Sequence, residues 1–168
     1  RGRVMDTTTA LDGCGPFSPE RSGSLPPGPL IKLCFSGKYT ENQLHRLVHG
    51  GGGLMAHLGT TSVPEVLERI DNGDLHAMLV LRAMCYTVAK AIGTMAIALK
   101  GDVDAILITG GMAHSKRITD FIAEHVDFIA PIYVYPGENE LKSLAENALA
   151  VLRGERQAKL YVSEDNED

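Results

Sequence analysis

Apolar positions change their period several times along the chain, and each change marks an element. From Met78 to Leu99 they recur every three or four residues, at Met78, Leu81, Cys85, Val88, Ile92, Met95 and Leu99. That spacing lines one face of a helix, which Asp74 can cap and which runs to about Lys100. Ala89, Ala91, Gly93, Ala96 and Ala98 cover much of its remaining surface. A helix apolar on more than one side belongs in a core or at a subunit contact. Residues 103–109, VDAILIT, then form an almost unbroken apolar run, the pattern of a parallel strand covered on both faces. Gly110-Gly111 form a turn, and a helix follows from about Ala113 to His125. Ile129–Tyr135 reads as a second apolar strand, closed by Pro136-Gly137. Asn139 caps a last helix that reaches about Arg153.

The first half is more broken. Val4–Thr9 is rich in β-branched residues and predicts a strand. Leu30–Phe35 predicts a short helix. Thr40 with Gln43 three residues later is a capping box, so a helix runs from Glu41 to about Val48. Gly50–Gly53 break it, and Leu54–Leu58 reads as a short strand or buried loop. Ser62 can cap a helix with Pro64 in its first turn and an end near Asn72-Gly73. The order of the second half, helix–strand–helix–strand–helix, is that of an α/β domain with right-handed crossovers, a parallel sheet and helices on both faces. The acidic tail Glu164–Asp168 is expected to fray.

Composition narrows the function classes. The chain has 168 residues, enough for one domain with a real core, and its 44% hydrophobic and 22% charged residues are ordinary for a globular protein. A net charge of −5 without any Lys/Arg block argues against a nucleic-acid or membrane surface. Arg82 and Lys90 interrupt the most apolar stretch, which argues against a membrane span. Three widely spaced cysteines, Cys14, Cys34 and Cys85, fit reduced thiols in a cytoplasm better than a disulfide framework. The chain opens on Arg1 in what reads as a strand already in progress, so a fragment or separated domain is expected.

Three places carry candidate chemistry. The loop ALDGCGPFSPERSG, residues 10–23, is punctuated by Gly13, Gly15, Pro16, Pro19 and Gly23 and holds Arg21. An arginine in a rigid Pro/Gly frame suits a planar anion, carboxylate or phosphate; a solvated surface arginine is the other reading. At Gly110-Gly111 a ligand could approach backbone at the carboxyl end of a strand, beside the next helix N-terminus. That suggests a nucleotide site, although an ordinary tight turn has the same sequence. Glu138 and Glu140, at the end of the second strand, could hold a hydrated Mg²⁺ or simply complement the last helix. His45 and His49 are four apart, but the glycine run is expected to end their helix before His49, and zinc would need further ligands. His57, His76, His114 and His125 show no common pattern. Gly50–Gly53 resembles a phosphate cradle in composition only.

Four blocks, ALDGCGPFSPERSG, LIKLCFSGKYT, VDAILITGGMAHS and FIAPIYVYPGENEL, closely resemble the carboxyl-terminal half of the butyrate kinases. These are a branch of the acetate kinase family within the actin-like, sugar kinase and Hsp70 ATPase superfamily. The blocks occur in the family's order, nearly end to end. The resemblance implies a partial ribonuclease-H-like α/β domain with a mixed sheet, spanning residues 1–168, whose amino-terminal partner domain is absent from this chain. It implies reversible transfer of the ATP terminal phosphoryl group to butanoate, giving butanoyl phosphate and ADP, with Mg²⁺, in a cytoplasmic homodimer, and it implies that the fragment alone is inactive. Arg21 lies in ERSG, which resembles the TRSG segment where acetate kinases bind the carboxylate and stabilise the phosphoryl group in flight. Gly110 and Gly111 match the family's adenosine motif, and Ser115 lies close enough for a hydroxyl contact. Glu140 matches a glutamate linked to Mg²⁺, with Glu138 as alternate because the spacing differs by one. The chain departs from the family at Ser62 and Pro64, where an Asp and an Arg are common, which touches the adenine pocket. Another short-chain or branched-chain carboxylate kinase, and a non-catalytic nucleotide-binding or dimerisation module, remain as alternatives.

Overall fold

The computed structural model describes residues 3–9 and 13–158; the acidic tail lies outside them. Seven α-helices and two strands follow in order among these residues. The helices are α1 (Pro27–Cys34), α2 (Glu41–His49), α3 (Gly53–Leu58), α4 (Val63–Asp71), α5 (Leu75–Ala98), α6 (Lys116–Val126) and α7 (Glu140–Leu152), and the strands are β1 (Ile106–Gly110) and β2 (Ile132–Pro136).

Local signals set most helix starts. Thr40 Oγ1 accepts from Gln43 N–H at 3.3 Å, and the Gln43 side chain accepts from Thr40 N–H at 2.8 Å, so the capping box is complete. Ser62 caps α4, with Pro64 in the first turn. Asp74 Oδ1 accepts from Ala77 N–H at 2.9 Å and starts α5. Its other oxygen receives Arg69 Nε and Nη2 at 2.9 and 2.7 Å, while Arg69 Nη1 reaches the Leu58 carbonyl at 2.9 Å. One arginine thereby ties the end of α3, the end of α4 and the start of α5 together.

The core forms where α5 meets α3, α4 and α6. Leu54, Val66, Leu81 and Val126 are completely inaccessible to solvent, with Met84 and Cys85 nearly so. The buried face of α5 runs through Ala77, Val80, Leu81, Met84, Cys85 and Ala89. Of the seven positions of the predicted stripe, only Leu81 and Cys85 are fully buried. Toward its carboxyl-terminal end the helix is less enclosed, and Val88, Ile92, Met95 and Leu99 line an open groove of about 400 Å³ with Val103, Ile106 and Asp6–Thr8. By length and mean hydropathy, 1.3 over an 18-residue window, α5 could cross a membrane. Its first half instead buries against three other helices.

β1 and β2 pair in parallel, from Ile106 opposite Ile132 to Gly110 opposite Pro136, with α6 as the crossover. Four expectations change. Val4–Thr9 forms no ladder among the described residues and is exposed, because β propensity cannot make a strand without a partner edge. Leu54–Leu58 is helical; its start is capped by tertiary contacts, described below, that no local pattern reveals. β1 is not covered on both faces among the described residues: Leu107 remains 65% exposed, and Tyr133 and Tyr135 on β2 are exposed as well. α2 also runs through His49 rather than stopping short, so the His45 and His49 rings stack at 6.2 Å.

Candidate functional site: the strand-end cavity and the Arg21 loop

β1 ends on Gly110, whose φ of 91° and ψ of 177° lie in a region essentially reserved for glycine. The chain then turns through a short 3-10 segment, Gly111–His114, into α6. β2 ends at Pro136, and Gly137 also has a positive φ, 92°. These two bends are bonded to each other. Gly110 N–H donates to the Gly137 carbonyl at 3.2 Å, and Gly137 N–H donates back to the Gly110 carbonyl at 3.0 Å. Thr109 Oγ1 adds a long contact to the same Gly137 carbonyl at 3.4 Å. A Cβ on Gly137 would lie 3.3 Å from His114 Nε2, so the imidazole lies against this backbone.

Beside the joined bends is a cavity of about 590 Å³. Thr109, Gly110, Gly111, Met112, His114, Ser115 and Glu138 form one side, and Val63, Pro64 and Leu67 of α4 form the other. Its lining is largely apolar with a few polar groups, the usual make-up of a small-molecule site. A Cβ at Gly110 or Gly111 would meet nothing within 4 Å, so both glycines leave open space in front of the backbone. Ser115 serves as the N-cap of α6, its Oγ accepting from Ile118 N–H at 3.4 Å. The hydroxyl proton is not used in that bond and can be donated to a ligand.

The structure brings Gly110, Gly111, Ser115 and Glu138 together and leaves Arg21 and Glu140 off that cavity. Of the two glutamates, therefore, the alternate one lines it. A Mg²⁺ carried by a nucleotide needs only one or two protein carboxylates, with phosphates and waters completing its shell. An exposed Glu138 at the cavity edge fits that requirement, and no cluster of three or more His, Cys, Asp or Glu side chains occurs among the described residues. Sequence reasoning found no role for His114, Val63 or Leu67, which meet the site only through the fold. Pro64, noted as a departure from the family pattern, is itself a lining residue.

Arg21 sits elsewhere, in a turn laid across the start of α3. Ser18 N–H donates to the Arg21 carbonyl, and Arg21 N–H donates to Ser18 Oγ, both at 3.1 Å. The carbonyls of Ser18, Pro19 and Glu20 accept from Leu54, Met55 and Gly52 N–H groups at 3.2, 3.0 and 3.1 Å. Ser22 N–H donates to the Val48 carbonyl at 3.0 Å. The glycine run is therefore no phosphate cradle. Gly52 and the first turn of α3 spend their free N–H groups on the Arg21 loop, which replaces a side-chain cap.

Comparison with known proteins was made on sequence and on structure. A model of the acetokinase family matches residues 1–168. A protein from Bacteroides thetaiotaomicron described as "Probable butyrate kinase" is 53% identical over 160 residues, covering 95% of this chain and 45% of its own length. "Butyrate kinase 2" of Clostridium acetobutylicum is 51% identical over 160 residues, with the same coverage. The chain thus spans about 45% of the length of these relatives. Among solved structures, the Porphyromonas gingivalis acetate kinase superposes with a TM-score of 0.73 at 21% identity, covering 82% of this chain and 41% of that one. The Entamoeba histolytica acetate kinase gives 0.70 at 15% identity, covering 82% and 43%. At those identities the superpositions establish the fold, a partial domain of actin-like ATPase type, while the family match and the near relatives establish kinship: the chain belongs to the acetokinase family.

Proposed function

We propose that these residues form the carboxyl-terminal domain of a two-domain carboxylate kinase that transfers the terminal phosphoryl group of ATP to butanoate. The observation that carries this reading is identity of about half to proteins named as butyrate kinases over 95% of the chain. The cavity at Gly110-Gly111, open in front of the backbone and set at a strand end, supports it as the nucleoside site.

The reaction sets the demands. A carboxylate oxygen bonds to the γ-phosphorus as the bridge oxygen to the β-phosphate departs with ADP, so two anions must be brought together and held in line. Arg21 supplies a guanidinium that keeps its charge at working pH and can contact two oxygens at once. The backbone of its turn is fixed at every residue from Ser18 to Ser22, as preorganised charge stabilisation requires. Gly110, Gly111 and Ser115 would seat the nucleoside, with Val63, Pro64, Leu67 and Met112 as apolar walls. Glu138, rather than Glu140, would hold the Mg²⁺ that enters with the nucleotide, through its waters. That cation neutralises phosphate charge when bound. In this reading the whole enzyme is a cytoplasmic homodimer with no membrane or nucleic-acid partner; the family resemblance and the absence of a Lys/Arg block support it.

The test is an acyl-phosphate assay on the complete polypeptide with MgATP and acids of two to five carbons. Butanoate is expected to give the highest kcat/KM. One methylene is worth about 1–3 kcal/mol in an apolar pocket, so neighbouring acids should trail by about ten- to two-hundredfold. A higher kcat/KM for a branched or other short acid moves the assignment to that acid. Absence of acyl phosphate with every acid refutes the kinase reading.

A further inference from the structure

The Gly52-Gly53 step answers a question that the proposed reaction raises: what fixes Arg21? Both glycines are buried. A Cβ on Gly53 would overlap the Ser18 carbonyl oxygen and lie 2.8 Å from that of Arg21; one on Gly52 would overlap Ser22 N and lie 2.8 Å from the Arg21 carbonyl carbon. Gly53 also has a φ of 60°. The backbones of the two segments touch because neither glycine carries a side chain. The hydrogen bonds then pass from α3 into the loop: Gly52 to Glu20, Leu54 to Ser18 and Met55 to Pro19. α3 is itself anchored by Leu54, which is completely buried against the core around α5. The Gly52-Gly53 contact thus sets how closely the Arg21 turn lies on α3, and the backbone bonds hold it there.

We infer that Gly52 and Gly53 are positioning residues for Arg21, docking the 18–22 turn on the start of α3 so that the guanidinium is held where the reacting anions meet. This rests on the assignment of Arg21 to the transfer step. Alanine at Gly53 must push the turn away by about an ångström, and misplacement on that scale costs about a hundredfold in rate.

The experiment is a double-mutant cycle in the full-length kinase with Gly53→Ala, Arg21→Ala and the pair, read as kcat and KM for butanoate and as the melting temperature. Gly53→Ala is expected to lower kcat about a hundredfold and to add less than about threefold when Arg21 is already alanine, since a positioning residue has nothing left to position. Gly28→Ala, at a glycine of α1 with no neighbour within 4 Å, is the control expected to leave kcat unchanged. If Gly53→Ala fails to fold, Ser18→Ala decides, because it removes only the side-chain bond to Arg21 N–H. It should lower kcat about tenfold, and lose that effect in the Arg21→Ala background. Effects that multiply with Arg21→Ala overturn the positioning role and leave the Arg21 assignment standing. Near-normal turnover of Arg21→Ala overturns both.

Discussion

Gly110 and Gly111 are neighbours on the same cavity but are glycines for different reasons, and substituting each separates backbone strain from ligand space. Gly110 has φ 91° and ψ 177°. An alanine held there pays about 1–3 kcal/mol, because a Cβ is disfavoured in that region wherever it points. No atom lies within 4 Å of the hypothetical Cβ, so sterics add nothing to that figure. Gly111 lies outside the left-handed region and also has open space around its Cβ. Alanine there should be neutral or stabilising by up to about 1 kcal/mol, through the reduced freedom of the unfolded chain. Equilibrium urea unfolding of the intact protein should therefore place Gly110→Ala about 1–4 kcal/mol below Gly111→Ala. Binding should not separate them. Each new methyl would stand between the backbone and the proposed nucleoside, and a displacement of about 0.5–1 Å forfeits a quarter to a half of each dispersion contact. Titration calorimetry with MgADP should show both variants weakened by about tenfold or more, equivalent to about 1.4 kcal/mol. A Gly111→Ala protein that binds MgADP as wild type does would remove the nucleoside from this bend. A Gly110→Ala protein as stable as Gly111→Ala would remove the conformational argument.

Three further outcomes follow from the packing and charge. Leu54→Ala, at a completely buried position, should cost about 2–5 kcal/mol in urea unfolding, whereas Met55→Ala next to it, 41% exposed, should cost under about 1 kcal/mol; equal losses would contradict the burial order. The Ala77 N–H, and then the Arg69 guanidinium, hold the Asp74 carboxyl below the usual carboxylate range. Asp74 therefore contributes stability above its unfolded pKa of about 4 and loses it as pH falls through the lower folded value, so wild type should exceed Asp74→Asn in urea midpoint at about pH 7 and converge with it in acid; a gap independent of pH would refute the pairing. Burial pushes the Cys85 thiol up to about 11, so peptide mapping after alkylation should find Cys14 and Cys34, both exposed, modified well before Cys85; comparable rates would show that α5 opens readily.

The helix caps were legible in the sequence because they are local. Thr40 with Gln43, Ser62 and Asp74 each act within three residues, and all three form as the pattern predicts. Asn139 begins α7 without a side-chain bond, so that start is right but its mechanism is not. α3 was misread because its cap is supplied by the carbonyls of Ser18, Pro19 and Glu20, more than thirty residues upstream. The segment 4–9 was misread because a strand is a property of a pair. At the candidate site, the Gly110-Gly111 bend could be read directly. Pro64 was reached through the family resemblance, but the flanking Val63 and Leu67 and the approach of His114 to Gly137 could not be read, since only the packed fold brings them there.

The paired N–H and carbonyl exchanges between Gly110 and Gly137 have a mechanical meaning. They rivet the tips of two separate strands into a single stiff lintel over the opening. Glu138 follows the rivet by one residue, so its backbone starts from the same frame that leads through Gly110 into the 3-10 segment. In the proposed reading, an ion held at Glu138 and a nucleoside at Gly110-Gly111 would share that one frame.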